Sequence, residues 1–284
     1  MILVDMNQVT LSSLMVQIGN RTALEPYLFR HMVLNTLRLY RKQFSDEYGE
    51  LVLCYDNKTN WRREYFPNYK YSRRKDRKAS KLDWGAIFDT LHLIKQELQD
   101  NFPYKVLEVE NAEADDIIAS VVRWVGASPS HYERVLIVSG DKDFIQLQKH
   151  RFVAQYSPTQ KKFVNGINPD VYIKEHILKG DRSDGVPNFL SPDNTFVDEL
   201  RQRPISKKKL ATWIDLEPED FCNEEMLRNY QRNRTLIDLE YAPDNITKAC
   251  VEAYLNSTVK DRSGLLNYFI KHRLKNHMEN IGDF

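Results

Sequence analysis

Short runs of consecutive apolar residues recur through the first half of the chain: MILVD at the start, LVLCYD at 51–56, YKVLEVE at 104–110 and RVLIVSGD at 134–141. Runs this short, apolar at successive positions, suit strands buried on both faces, as in a parallel sheet. Between them the apolar spacing changes to three and four. Leu24, Leu28, Met32, Leu37, Tyr40 and Phe44 fall on one helical face, and so do Trp84, Ile87, Phe88, Leu91, Ile94 and Leu98. Strand–helix alternation predicts an α/β fold, with a mostly parallel central sheet flanked by helices. RFVAQYSPTQKKFVNG (151–166) reads as a hairpin on the sheet edge that turns near SPTQ.

Beyond about residue 170 the strand signal stops. PDVYIKEHILKGD, EEMLRNYQRNRTLIDL, NITKACVEAYLNS and GLLNYFIKHRLKNHM all read as helices, while 185–206, with Pro187, Pro192 and Pro204, reads as irregular. The expected organisation is an α/β core over 1–180 and a smaller all-helical C-terminal domain over 181–284.

Composition narrows the class. The chain has 284 residues, 42% hydrophobic and 29% charged, an ordinary globular balance. No apolar stretch approaches the ~20 residues of a membrane span. MILVDMNQV lacks the basic start of a secretory leader, so a cytoplasmic protein is expected. Cys54, Cys222 and Cys250 are far apart and read as reduced thiols. The net charge of +1 conceals segregation. From Lys58 to Lys81 ten basic residues face two acids, Glu64 and Asp76, and Arg201–Lys209 holds five basic residues and no acid. Such districts suit a polyanion at one place and a cation at another.

The acids gather at predicted strand ends. Asp5 and Asp56 close the first two strands, and Asp141 and Asp143 follow the fourth in SGDKDF. Open parallel sheets bind ligands beyond the carboxyl ends of their strands. Glu113, Asp115 and Asp116 start a helix at the same edge, and KGDRSDGV adds Asp181 and Asp184. A helix N-terminus accounts for one or two acids at roughly 0.3–1 kcal/mol each, not for this set. Taken singly, Asp5 and Asp56 are ordinary turn residues, and DxD is a weak motif. The conjunction carries the weight, because nine carboxylates brought together repel unless a cation joins them. Hard divalent ions with oxygen ligands fit, and nine acids exceed one ion's needs, which points to two Mg²⁺ ions, with Mn²⁺ able to substitute. Two such ions suit in-line hydrolysis of a phosphodiester. HExxH, GxxxxGK[ST] and GxSxG are all absent, which argues against a zinc peptidase, a P-loop ATPase and an α/β-hydrolase.

Beside the acids, NKTNWRREYFPNYKYSRRKDRKASK (57–81) interleaves cations with Trp61, Tyr65, Phe66, Tyr69 and Tyr71. Cations neutralise phosphates and aromatic faces stack on unpaired bases, so the segment reads as an arm for single-stranded nucleic acid.

In order, LVDMN, YDN, WRREYFPNYKYSR, AEADD, SGDKDF and GDRSDGV resemble the 5′-nuclease (flap endonuclease) superfamily. Its members include the 5′-nuclease domains of bacterial DNA polymerase I. The likeness to the ribonuclease H branch of T-even bacteriophages runs almost end to end and takes in LIDLEYAPDNI and the closing ENIGDF. The resemblance implies a metal-dependent 5′→3′ exonuclease and flap endonuclease that removes RNA primers and 5′ flaps in lagging-strand replication. It implies Asp5, Asp56, Glu113, Asp115, Asp141 and Asp143 around a first ion, and Asp116, Asp181 and Asp184 extending to a second.

The family pattern (Phe/Trp)-Arg-x-Glu…Tyr-Lys-x-x-Arg is matched by Trp61, Arg62, Glu64, Tyr69, Lys70 and Arg73. By resemblance Lys70 stabilises the scissile phosphate, Arg73 and Arg62 assist, and Arg63, Tyr69 and Arg74 contact substrate within an arch at about 57–90. The glycine-rich helix–hairpin–helix of most members is missing, so Lys207, Lys208 and Lys209 are the expected duplex-binding substitute. Resemblance also implies a single-stranded-DNA-binding protein as a partner of a monomer. Members of the branch engage a sliding clamp through a short N-terminal extension; this chain starts almost at Ile2-Leu3, so that coupling is not carried over. Two rivals remain at this stage. An RNA-directed endonuclease on a similar scaffold would have no use for the arch and helical tail. A catalytically silent DNA-structure-binding module would gain nothing from acids beside a polyanion.

Overall fold

The computed structural model describes residues 1–18 and 26–284, and Leu24 of the second helical pattern lies outside them. The strands are β1 (Ile2–Asp5), β2 (Leu51–Tyr55), β3 (Lys105–Glu108), β4 (Val135–Val138), β5 (Val153–Ser157) and β6 (Lys162–Phe163). Among the described residues they form one sheet in the order β3-β2-β1-β4-β5-β6, parallel except for the β5–β6 hairpin. The hairpin falls where the sequence places it, with the turn over 158–161.

The helices before the hairpin are α1 (Met6–Ile18), α2 (Pro26–Tyr48), α3 (Trp61–Tyr65), α4 (Tyr71–Ala79), α5 (Trp84–Asn101) and α6 (Ala114–Ala127). After it come α7 (Pro169–Lys179), α8 (Lys207–Ile214), α9 (Pro218–Phe221), α10 (Glu224–Ile237), α11 (Asp244–Asn256), α12 (Leu265–Lys271) and α13 (Lys275–Met278). Residues 187–206 hold neither helix nor strand. No helix among the described residues is long and apolar enough to cross a membrane.

The strands are apolar throughout because both faces are covered. Ile2 and Val4 of β1, with Leu136 and Val138 of β4, pack under α1, α2, α5 and α12. Leu3, Val135 and Ile137 face the other way, under α6 and α11. A third cluster joins Phe66 and Tyr69 to Ile177, Phe189, Leu210 and Leu236, so the basic arm and the C-terminal helices share a core. The C-terminal helices do not form one separate layer, since α11 lies on α6 and α12 packs Phe269 against Phe102 and Phe284.

Helix α1 escaped the periodicity argument because apolar and small residues are spread around its whole circumference, which leaves no stripe to detect. The predicted single helix over GLLNYFIKHRLKNHM is broken at Arg273, whose φ of 56° ends α12 before α13 begins.

The chain winds from β1 out through β2 to β3, then returns to β4 on the other side of β1. This is a topological switch point, and it opens a crevice at the carboxyl ends of β1 and β4. The register pairs Val4 with Val138, so Asp5 lies beside Ser139. Two glycines shape a loop that reaches this edge. Gly180 ends α7 with φ +67°, and a Cβ there would meet the Val186 carbonyl oxygen at 2.4 Å. Gly185, φ +74°, sits so close to the Asn68 carbonyl oxygen that a Cβ would approach it to 2.9 Å.

Candidate active site: an acid crevice under a basic arm

Asp5 ends β1 with its carboxylate nearly buried, accepting from Gln8 N at 3.1 Å and Ser139 Oγ at 3.0 Å. Asp56 follows β2 and accepts from Ala114 N at 2.8 Å, so it also helps cap α6. Asp141 follows β4 and caps the 3-10 stretch that begins at Lys142, accepting from Asp143 N at 3.0 Å. Asp181 makes a tight turn, with its Oδ1 accepting from Ser183 N and Asp184 N. Eight of the nine predicted acids thus border one crevice.

Asp116 is the exception and a correction. It is fully buried in the first turn of α6, where its Oδ2 accepts from Trp61 Nε1 at 3.1 Å, Arg62 Nη1 at 2.9 Å and Glu113 N at 2.9 Å. Its Oδ1 lies 2.8 Å from Arg62 Nη2. Both oxygens face protein cations or donors, so Asp116 holds the fold rather than an ion.

Arg62 is corrected with it. Only 2% exposed, it spans Asp116, Glu113 and the Leu236 carbonyl, and has no face left for a phosphate. Tyr69 is buried as well. Its hydroxyl lies 2.9 Å from Glu113 Oε2 and 2.7 Å from Asp184 Oδ2, bridging two acids instead of meeting substrate. Of the five aromatics expected to stack on bases, Trp61, Phe66 and Tyr69 pack inward, and Tyr65 and Tyr71 remain exposed. Arg63 is half-buried; the side chain of Arg74 lies outside the described residues. Lys207, Lys208 and Lys209 are exposed on the first turn of α8.

Lys70 stands at the base of the crevice. Its Nζ donates to Glu113 Oε1 at 2.5 Å and lies 3.5 Å from Asp184 Oδ2. Its backbone is left-handed, φ 54°, and is held there by donation from its N–H to the Asp184 carbonyl at 2.7 Å. Arg73, at the exposed rim, donates to Asp184 Oδ1.

These cations divide the acids electrostatically. Burial pushes the Glu113 carboxyl up, but Lys70 and Arg62 outweigh it and bring it down to about 2. Asp181 is likewise held low, against burial, by His176 and Ser183. Asp5 goes the other way: burial first, then Asp56 and Asp141, raise it to about 7. Burial and Asp143 raise Asp141 to about 6. Asp115 is raised well above its ordinary value by burial and by Asp141, Asp5 and Glu113. Asp56 and Asp184 are also raised, because burial outweighs Lys70 and, at Asp184, Arg73 as well. Among the described residues Asp5, Asp115 and Asp141 make no ion pair with a protein cation, although Lys70 acts on Asp115 and Asp141 from a distance. An all-oxygen donor set with excess negative charge fits a hard divalent cation.

Sequence reasoning missed His176. It lies in the last turn of α7, with Nε2 3.1 Å from Asp143 Oδ1 and 3.6 Å from Asp181 Oδ2. Burial works against its protonation, yet the two carboxylates raise it to about 10. Its place at the end of a helical pattern directly ahead of GDRSD, five positions before Asp181, was the available signal.

A parallel sheet with acids at its switch point, a basic arm above them and a helical C-terminal region defines a resolvase-like 5′-nuclease fold. Residues 12–176 match the family described as 5′-3′ exonuclease, N-terminal resolvase-like domain, and residues 167–284 match T4 RNase H, C terminal. The chain belongs to this 5′-3′ exonuclease family. Ribonuclease H of Enterobacteria phage T4 is 32% identical over 292 residues, covering 99% of this chain and 95% of that protein. DNA polymerase I of Bacillus subtilis is 28% identical over 177 residues, 58% of this chain but 19% of the polymerase. Among solved structures, the bacteriophage T5 flap endonuclease in a pseudo-enzyme–product complex with DNA and metal ions has a TM-score of 0.61 and 18% identity, covering 90% of this chain and 99% of that one. The T5 5′-exonuclease with bound zinc ions also has a TM-score of 0.61, at 16% identity, with 90% and 98% covered.

The buried Arg62–Asp116 pair yields a stability prediction. Arg62→Met leaves Asp116 charged and buried without its counter-ion, which costs about 3–5 kcal/mol. Urea unfolding measures it, and a change below about 1 kcal/mol would mean the pair contributes little to holding the arm on α6.

Proposed function

We propose that this chain is a metal-dependent 5′→3′ exonuclease and flap endonuclease, hydrolysing the phosphodiesters of RNA primers and 5′ DNA flaps during lagging-strand replication. It would share the ribonuclease H activity on RNA–DNA hybrids named for the T4 relative. The observation that carries this reading is the set of raised acids without an ion pair, Asp5, Asp115 and Asp141, beside a buried lysine on the arm. We assign those three, with Asp56 and Glu113 behind them, to one Mg²⁺ ion, and Asp143, Asp181 and Asp184 to a second, with Mn²⁺ able to substitute. A divalent cation held there neutralises phosphate charge and makes water a better nucleophile.

The protein's own groups complete the site. Two of the three N–H directions of Lys70 are turned to Glu113 and Asp184, and the third is available to a non-bridging phosphate oxygen as negative charge grows on it. Because its backbone and head group are both pinned, Lys70 needs little reorganisation on binding. Arg73 at the rim suits the next phosphate, and exposed Tyr65 and Tyr71 suit unpaired bases on the arm. Lys207–Lys209 supply a duplex contact. We further infer a cytoplasmic monomer, in the host cytoplasm if the chain is phage-encoded, that meets a single-stranded-DNA-binding protein through its helical C-terminal region. Gel filtration and pull-down with that protein check these two points.

A 5′-labelled flap duplex tests the central reading. Wild type with Mg²⁺ should release short 5′ products; EDTA or Asp141→Asn should abolish release, and Lys70→Met should lower kcat at least about 100-fold with little change in binding. Tight binding without cleavage by the wild type would leave only a silent structure-binding module.

Cation affinity should fall with pH. Asp5 and Asp141, raised to about 7 and 6, carry protons below those values, and a proton competes with the ion. Calorimetry at pH 8 and pH 5.5 should show affinity weaker by on the order of 100-fold at the lower value. A flat profile would remove these acids from the ligand set.

Replacing Lys207, Lys208 and Lys209 with Gln should reduce the slope of log K against log salt by about 2–3 for a flap duplex. An unchanged slope would mean the run touches no phosphate.

A further inference from the structure

The following rests on the crevice being a divalent-cation site, and concerns which ion its Asp181 side selects. Asp143, His176 and Asp181 each offer one ligand atom, all within 4.8 Å of one another, the only such group among the described residues. The donors come from different elements: Asp143 from the stretch after β4, His176 from α7 and Asp181 from the loop beyond it. The imidazole is held in place. It stacks on Tyr172 one turn earlier, centroids 5.6 Å apart and planes 19° apart, and the adjacent Ile177 and Leu178 are buried.

The two carboxylates that converge on Nε2 need a positive partner, which is either a proton on the ring or a cation that displaces that proton and takes the nitrogen as a ligand. The donor set is mixed nitrogen and oxygen, unlike the all-carboxylate group at Asp5, Asp115 and Asp141. Carboxylate and water suit Mg²⁺, whereas imidazole favours first-row transition ions.

We propose that Nε2 of His176 is a direct ligand, with Asp143 and Asp181, of one divalent cation, and that this half of the crevice prefers Mn²⁺ or Co²⁺ to Mg²⁺. The alternative is that His176 is a permanent positive partner of the two acids and never meets a metal. The two differ in a spectroscopic signature. Pulsed EPR of Mn²⁺ bound to the full chain should show ¹⁴N modulation from a directly bound imidazole. His176→Gln should remove the modulation and lower the Mn²⁺/Mg²⁺ affinity ratio by about ten-fold in calorimetry, with Mg²⁺ affinity little changed. His176→Lys keeps the charge but supplies no neutral imidazole, and should lose the modulation as well. Bound Mn²⁺ without ¹⁴N coupling in the wild type, or an unchanged ratio in His176→Gln, would overturn the assignment while leaving the cation site intact. Asp143→Asn and Asp181→Asn separate the two levels. If neither weakens Mn²⁺ binding to the wild-type chain, no ion sits there, and the reading of this side of the crevice fails along with the inference.

Discussion

A guanidinium with no access to water fixes the geometry of this molecule. Arg62 must find a partner for each of its buried donors, because an unpaired buried charge costs several kcal/mol. It finds them on two elements: the acidic start of α6, through Asp116 and Glu113, and the carbonyl of Leu236 at the end of α10. Those contacts can be made together only if the arm, the acid-bearing helix and the C-terminal helices hold one arrangement. Eight residues on, Lys70 inherits that placement and reaches the same Glu113 from the crevice side. Glu113 is thus shared between a structural cation and one facing the site.

The acids of the crevice differ in how their charge is met. Buried like charges raise one another, Asp141 acting on Asp5 and both of them on Asp115, which is the opposite of what a helix N-terminus does to an acid. Capping therefore cannot explain why Asp5, Asp115 and Asp141 are kept together. Glu113 and Asp181 carry depressed pKa values because Lys70, Arg62 and His176 answer them; Asp5, Asp115 and Asp141 are raised by burial first and then by neighbouring carboxylates, with no ion pair to offset either. Such an uneven distribution is what a site designed around an external cation requires, since a fully neutralised cluster would have no affinity left for one.

The strands and their terminal acids were legible because both-face burial writes itself as continuous apolar runs, and because the switch point of a parallel sheet follows from connection order. Asp5, Asp56 and Asp141 could be placed on that basis alone. The roles of Arg62, Asp116 and Tyr69 could not. Arg62 and Tyr69 have the composition of a phosphate-binding arm and Asp116 that of a metal ligand, and only the tertiary packing of the arm on α6 and α10 reveals that they are interior. Arg62 and Lys70 look equivalent in the string, yet the first faces the core and the second the crevice. Helix α1 was hidden by its lack of an apolar stripe, and His176 by the absence of any second histidine or cysteine at metal-ligand spacing.

The arm and the loop carrying Asp181 and Asp184 behave as one unit. Lys70 adopts a left-handed backbone at a cost of about 1–2 kcal/mol. Its N–H donation to the Asp184 carbonyl, and the approach of Gly185 to Asn68, offset that cost through contacts with the acid loop itself. Asn68 Nδ2 donates to the Asp193 carbonyl at 3.0 Å, and Lys75 pairs with Glu199, extending the seam outward. A movement of the arm must therefore carry Asp184 with it or break the seam. Either event alters the environment of Glu113, whose two oxygens answer Lys70 on one side and Tyr69 and Arg62 on the other. The position of the arm and the charge balance of the acids are consequently coupled through a single carboxylate.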